Sequence, residues 1–518
     1  MTKLCRLVPL LLPLLLLEAG CDSSSGAGGS ASSGATTSGQ GTAQGSSTTG
    51  TGGAVEPPPV TCPSPIALAD VTAPTTVVGD GSPSSCTEAT LRAAVDAGGV
   101  IVFDCGAAPV LIALGAELSA TKDTVIDGGG KVTLSGEGKT RILHLASAWD
   151  QVTPKLTVQR LGFVRGFTTD EPNTKDVDQG GAAIFRDGGS LDVVDCTFDD
   201  NHCASTGQDV SGGAITSQGV GLTVIVGSTF TNNSGSNGGA VGNLGPNFTV
   251  VNSAFDGNAA TGTDGNPGNG GNGGAIVFDG ADTEMLICGS TFTHNTAGAQ
   301  GGAIFRVAYT DEVTGIDRCT FDANAADPAK GLAGALYLEH TTIQMTATTI
   351  SNNTAHYGGG LWIGHAAIAK ISNVTFANNK ADQGGGIWVA GEVTGELRNC
   401  TLAGNDVLPG GYAPTLFGGA TALALANCIV RGGGCKDGPV ESGGPNIQFP
   451  DGGAPCAPGV TAADPLLGEL ADNGGPTKTI LPGSGSPALG LGMNCPPTDQ
   501  RGNSRPSSGC ALGAVEPP

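Results

Sequence analysis

The sequence predicts an all-β protein, a right-handed parallel β-helix built as a solenoid of short stacked coils. Three observations carry that prediction. Glycine supplies 88 of the 518 residues, far above the usual share of roughly 7 %, so the chain turns often. Only 4 % of residues are aromatic, yet 39 % are hydrophobic, and many lie in short β-branched runs that suit strands. One two-part phrase recurs eight times between about residues 180 and 405, as expected of a stacked repeat.

The phrase defines each coil. Its first half is Thr or Ala, a large apolar residue, two variable residues and Asn. It runs from Thr197-Phe198…Asn201 through Thr229-Phe230…Asn233, Ala254-Phe255…Asn258, Thr291-Phe292…Asn295, Thr320-Phe321…Asn324, Thr349-Ile350…Asn353 and Thr375-Phe376…Asn379 to Thr401-Leu402…Asn405. Its second half, Gly-Gly-Ala-Ile or a near variant, begins at Gly180, Gly212, Gly238, Gly273, Gly301, Ala333, Gly359 and Gly385. Five residues before each Phe position stands an aliphatic residue, such as Val193, Ile225 or Ile287. Three before it, Asp195, Gly227, Asn252, Gly289, Asn373 and Asn399 tolerate left-handed backbone, although Arg318 and Ala347 share the place. Each unit therefore reads as a strand, a sharp corner, a short strand with the Phe, an Asn turn, a variable loop and a Gly-Gly-led third strand. Stacking at about 4.8 Å per coil puts the Phe and aliphatic columns inside and lets the Asn column bond backbone from coil to coil. Right-handed winding follows from the bias of parallel crossovers. The longest inserted loop is expected at Asp264–Gly273.

Four segments organise the chain. Residues 1–20 read as an export signal, with Lys3 and Arg6 ahead of apolar Leu7–Leu17. Residues 21–61 are Cys21 and a Ser/Gly/Thr-rich linker with too little apolar surface to order itself. Residues 62–430 form the β-helix, and 431–518 a C-terminal capping region. Cys86–Ala97 reads as a short amphipathic helix, with Thr87 as N-cap, that plugs the first coil. The net charge of −23 disfavours nucleic-acid partners. Of 15 Cys, removing Cys5 and Cys21 leaves 13, so at least one stays unpaired. Candidate disulfides are Cys86–Cys105, Cys196–Cys203 and Cys495–Cys510, with Cys428, Cys435 and Cys456 sharing one more. No Cys/His cluster has zinc spacing, so no structural metal is expected.

Several stretches resemble known families. Ala19-Gly20-Cys21 resembles a bacterial lipobox, which implies lipidation of Cys21, although Glu18 stands where that motif usually has Leu. The paired GGA(I/L) and FxxN phrases resemble the repeats of chlamydial polymorphic outer-membrane proteins, which resemble adhesins. Leu91-Arg92-Ala93-Ala94-Val95 resembles the core of a CSLREA-type opening, and Val125–Leu134 an early rung of a pectate-lyase-like helix. Ala463–Gly490 and Asp499–Glu516 resemble a choice-of-anchor Q region. These resemblances imply an exported protein of the bacterial cell envelope, lipid-anchored at the outer membrane or cell surface.

Strand alternation singles out one outward column. After each inward aliphatic residue of the Gly-Gly strand comes Phe185, Thr216, Gly242, Val277, Phe305, Tyr337, Trp362 or Trp388. Phe305, Tyr337, Trp362 and Trp388 lie on consecutive rungs and suit a linear polysaccharide, a cell-surface glycan or a protein partner. Packing beneath the variable loops is the other reading of the same column. A polysaccharide lyase or glycoside hydrolase on this fold is the alternative function, with Glu339, His340, His365 and Arg306 as candidate catalytic groups near the column. No cofactor is required; Asp264, Asp279 and Asp282 with loop carbonyls are candidates for Ca²⁺.

Overall fold

The computed structural model describes residues 62–169, 177–309, 312–418, 422–436, 440–450 and 454–517. The expected export signal, Cys21 and the expected linker lie outside the described residues. Within the coils each strand pairs in parallel with its equivalent one coil away, while Gly492–Met493 and Ser508–Cys510 pair antiparallel in the C-terminal segment. The twelve strands of the front sheet run from Leu118–Ala120 through Ile184–Asp187, Ile276–Asp279 and Leu361–Ile363 to Cys435–Lys436. Strands such as Leu222–Val226 and Thr229–Thr231, on either side of the corner, build the other walls. The fold is a right-handed parallel β-helix. Asp195, Asn252, Arg318, Ala347, Asn373 and Asn399 all take positive φ at the corner, as the phrase predicts.

In-phase register makes like residues meet. The strands align Phe198, Phe230, Phe255, Phe292 and Phe321. Together with Phe163, their rings stack inside at 4.6–4.8 Å, within 10° of parallel. The Asn column forms a buried side-chain ladder from Asn201 to Asn405. At one rung, Asn295 Oδ1 accepts from both the backbone N–H and Nδ2 of Asn258 (3.0 Å each), and Asn295 Nδ2 donates to Asn324 Oδ1 (2.9 Å) and Phe255 O (3.0 Å).

The ends are closed differently. Glu88–Ala97 is a helix with a capping box between Thr87 and Thr90, and it buries Leu91, Ala94 and Val95 in the main core. Ahead of it, the chain lies along the outside of the coils. Cys62 is disulfide-bonded to Cys288 and exchanges two hydrogen bonds with Asn252 (2.9 and 2.8 Å). Ala69 N–H then donates to Gln159 (2.7 Å) on the way to the first strand, Thr76–Val78. The C-terminal segment also runs back along the flank. Gln500, Thr477 and Arg505 reach Thr349, Ala347 and Asn373. Ile480 packs on Ala377 and Ala403, and Leu512 and Ala488 on Ile429 and Ile447.

Cysteine pairing follows these compartments. Cys86–Cys105, Cys495–Cys510 and Cys435–Cys456 are bonded. The expected Cys196–Cys203 bond is not formed, and both residues are buried thiols, as are Cys319, Cys400 and Cys428. Cys196 points into the main core, whereas Cys203 lies beyond the Asn turn in a separate cluster with Ala182, Ala204 and Val210. Burial pushes both thiols up to about 12, so they are inert toward exchange.

One buried carboxylate ties the early coils to pH. Asp127 accepts from Gln159 Nε2 (2.7 Å), Gly129 N–H (2.8 Å) and the Arg160 guanidinium. Burial alone would raise its carboxyl, but these hydrogen bonds outweigh burial and hold it below the ordinary range. Its folded-state value therefore lies below the unfolded one. The stabilisation is complete above the ordinary aspartate range, about pH 4, and is lost as pH falls through the folded value. Melting temperatures recorded down an acid series should fall less steeply in Asp127→Asn than in the parent protein.

Candidate functional site

The front face carries the outward column. Register aligns His144, Phe185, Thr216, Gly242, Val277, Phe305, Tyr337, Trp362, Trp388 and Phe417. From Phe305 to Trp388 the aromatic members point away from the interior and form a cluster separate from the main core. Their faces, however, are not presented to solvent: Phe305, Tyr337 and Trp362 are only 7, 7 and 8 % exposed. Successive rings from Phe305 to Phe417 stack at 4.9, 5.8, 3.5 and 5.6 Å. The physical reason is the rung spacing, which nearly equals a ring-stacking distance, so neighbours occupy each other's faces. Phe417 and Tyr412 extend the cluster, and Tyr412 is 37 % exposed. Phe417 escapes the motif because its coil replaces Gly-Gly with Pro414-Thr415, although its place after inward Leu416 follows the same alternation.

The four catalytic candidates do not converge. Glu339 points outward and accepts from the Tyr337 hydroxyl (2.5 Å), with His340 Nδ1 3.8 Å away. Burial, with the Glu339 charge beside it, raises the Tyr337 phenol far above its usual range. His340 meets His365 through the backbone, His340 N–H donating to His365 O (3.0 Å). Arg306 corrects the expectation outright: it lies fully buried inside the coil. The alternation that sends Ile304 inward and Phe305 outward sends Arg306 inward again, in register with core Leu338. Its guanidinium lies 4.1 Å from the Phe278 ring centre and donates to the carbonyls of Gly280, Thr283 and Val307. Burial lowers it to about 10. Arg186, at a comparable inward position, binds the carbonyls of Gln218, Gly189 and Val220. Both arginines staple turns from within, and Arg306 cannot reach a substrate lying on the front face.

The most open aromatic surface lies at the edge of that face, in turns the repeat does not index. A cleft of about 410 Å³ opens between Trp149 and Tyr309, which are 53 and 59 % exposed. Its floor is glycine turns at Gly219, Gly245 and Gly280. Val220 N–H donates to Trp149 O (2.8 Å) and fixes the Trp149 turn. Asp279, at the end of the strand Ile276–Asp279, is the acid in the wall. Burial raises its carboxyl, against the opposing influence of the nearby Tyr309 hydroxyl. Asp264 and Asp282, the other Ca²⁺ candidates, do not line this wall: Asp264 is exposed and ion-paired to Lys330, and Asp282 N–H donates to Glu312. A larger groove of about 690 Å³ lies between the C-terminal segment and the flank, bordered by Asp317, Arg318, Asp499 and Arg501 and without an aromatic wall.

Residues 334–447 match the family model of a right-handed beta helix region. The chain carries a right-handed β-helix. Within this β-helix, residues 289–305 match the repeat of the Chlamydia polymorphic membrane proteins. That stretch spans one whole coil phrase, from Thr291-Phe292…Asn295 to Gly301-Gly302-Ala303-Ile304. A comparison with curated proteins finds no match.

Proposed function

We propose that this β-helix is an adhesin-like surface protein of the bacterial envelope that binds a carbohydrate polymer. The likeness of its coil to the Chlamydia polymorphic membrane protein repeat supports surface placement. Residues 1–21 support export and attachment through a lipid on Cys21. The observation that carries the reading is the cleft between exposed Trp149 and Tyr309. Two aromatic walls accept the apolar faces of sugar rings, the glycine floor lets a ring approach backbone, and Asp279 accepts from hydroxyls.

A glycan array followed by polysaccharide co-sedimentation tests this. Each stacking ring contributes about 1 kcal/mol, so the double variant Trp149→Ala/Tyr309→Ala should weaken binding roughly tenfold or more. Trp388→Ala reports on the ladder and should leave binding unchanged. Absence of binding to every glycan, or binding indifferent to the Trp149 and Tyr309 changes, would sink the proposal.

A further inference from the structure

The chain ahead of the first strand climbs the flank toward the groove beside the C-terminal segment. It follows one register column at the corner of the coils, which includes Gln159, Val194, Cys288, Asp317, Thr346 and Ser372. Ala69 is held at Gln159, Ile66 packs on the valines of the column, and Cys62 is bonded to Cys288. From Gln159 to Cys288 is four coils, about 19 Å at the strand spacing. The seven steps from Ala69 to Cys62 reach at most about 25 Å. This stretch is therefore nearly extended, and read upstream it rises toward later coils.

The next three places of the column, Asp317, Thr346 and Ser372, line the groove of about 690 Å³. Its charges are already paired, Arg318 with Asp317 (2.7 Å) and Arg501 with Asp499 (2.9 Å), so shape and apolar surface decide what it holds. Pro476, Pro496 and Pro497 supply that surface. The corner residues add a second constraint. Asn252 exchanges two hydrogen bonds with the Cys62 backbone, and Asn427 does the same with Met493 of the C-terminal segment (2.8 and 3.1 Å). Each amide brackets a passing chain, accepting its N–H and donating to its carbonyl. Along the groove the equivalent corner residues are Arg318 and Ala347, whose side chains accept nothing. A segment that has no N–H to offer loses nothing there.

We propose that Pro57-Pro58-Pro59-Val60-Thr61 docks in this groove as an extended strap. The described chain begins at Cys62, bonded to Cys288, whose register partner one coil on is Asp317. From Cys288 to Ser372 is three coils, about 14 Å, and five residues of polyproline helix reach about 15 Å. The three prolines bring no N–H to a stretch of corner that cannot accept one. Their fixed φ also lowers the entropy lost on docking. The strap joins the two terminal segments along one flank, and because its seat is non-covalent, Cys62 remains the point that bears a pull. The proposal goes beyond the carbohydrate reading and does not depend on it, since the cleft and the groove share no residue.

The test places the photo-crosslinker benzoylphenylalanine in the full-length chain, one position at a time, and maps the products by mass spectrometry. Introduced in place of Val60, it should capture the Asp317 or Thr346 rung. Introduced in place of Pro57, it should capture the Ser372 rung or the facing Pro496–Gly502 stretch, again within one chain. Thr346→Trp changes an exposed strand position and fills the groove, so it should lower both yields tenfold or more, with circular dichroism showing that the coils persist. Pro57→Gly/Pro58→Gly/Pro59→Gly should lower the yield from position 60 about threefold or more, because glycine restores the freedom that proline removes. Capture outside the groove, absence of any capture, or yields unaltered by Thr346→Trp overturns the proposal. So does a product that joins two chains, which assigns the groove to a second copy.

Discussion

Asn295→Ala should lower the unfolding free energy by roughly 3–5 kcal/mol. The side chain makes four hydrogen bonds in a wholly buried column: two accepted from Asn258, two donated to Asn324 and Phe255. Removing it orphans the backbone N–H of Asn258 and one of its Nδ2 hydrogens, and water cannot reach either, since Asn258 and Asn295 are both fully buried. Chains of hydrogen bonds also polarise one another, so the loss spreads to neighbouring rungs. Asn295→Asp keeps the shape but turns two donated bonds into acceptor-against-acceptor contacts, and it should do no better than Ala. Denaturant unfolding gives the magnitude. Hydrogen exchange along Phe255–Asn324 should show the opening centred on the altered rung, because each coil is stabilised by its nearest neighbours.

Gln500→Ala should release the C-terminal segment, at a cost of roughly 2–4 kcal/mol. Gln500 is fully buried between that segment and the coils. Its Nε2 donates to Thr349 Oγ1 (2.8 Å), Thr477 Oγ1 (2.9 Å) and Thr348 O (3.1 Å), and its Oε1 accepts from Thr375 Oγ1 (2.7 Å). Alanine leaves a cavity and several unpaired groups at one spot. Limited proteolysis should cut within residues 464–517 first while the coils resist. A segment that stays resistant in the variant would show that Ile480, Ala488 and Leu512 hold it without Gln500.

The coil was legible because repetition converts a weak local pattern into eight coincident ones. Phe198 or Asn201 alone says little, but in-phase columns of Phe and Asn admit one arrangement. The outward direction of Phe305 and Trp362 was legible from alternation for the same reason. Their burial was not, because it depends on how closely stacked rungs bring ring faces. Arg306 was readable by the alternation rule that placed Phe305, and its charge argued misleadingly for the surface. Cysteine spacing misled at Cys196 and Cys203, which are near in sequence yet face different compartments. It was silent at Cys62 and Cys288, whose separation of 226 residues carries no local signal. The cleft was illegible because Trp149 and Tyr309 sit in turns outside the repeat and meet only through winding.

The Cys62–Cys288 bond also sets a load path. Cys288 follows the sixth of the twelve front-sheet strands, so Cys62 is fastened halfway along the rod, not at its first coil. A pull transmitted along the polypeptide from upstream of Cys62 enters at the waist. The first strand and the Glu88–Ala97 plug lie off the line of tension, and the end of the solenoid cannot be peeled coil by coil. Intact, the bond turns a tug that would unzip one terminal strand into one shared by the central rungs. Reduced, it shifts the same tug toward Thr76–Val78, the first strand of the rod.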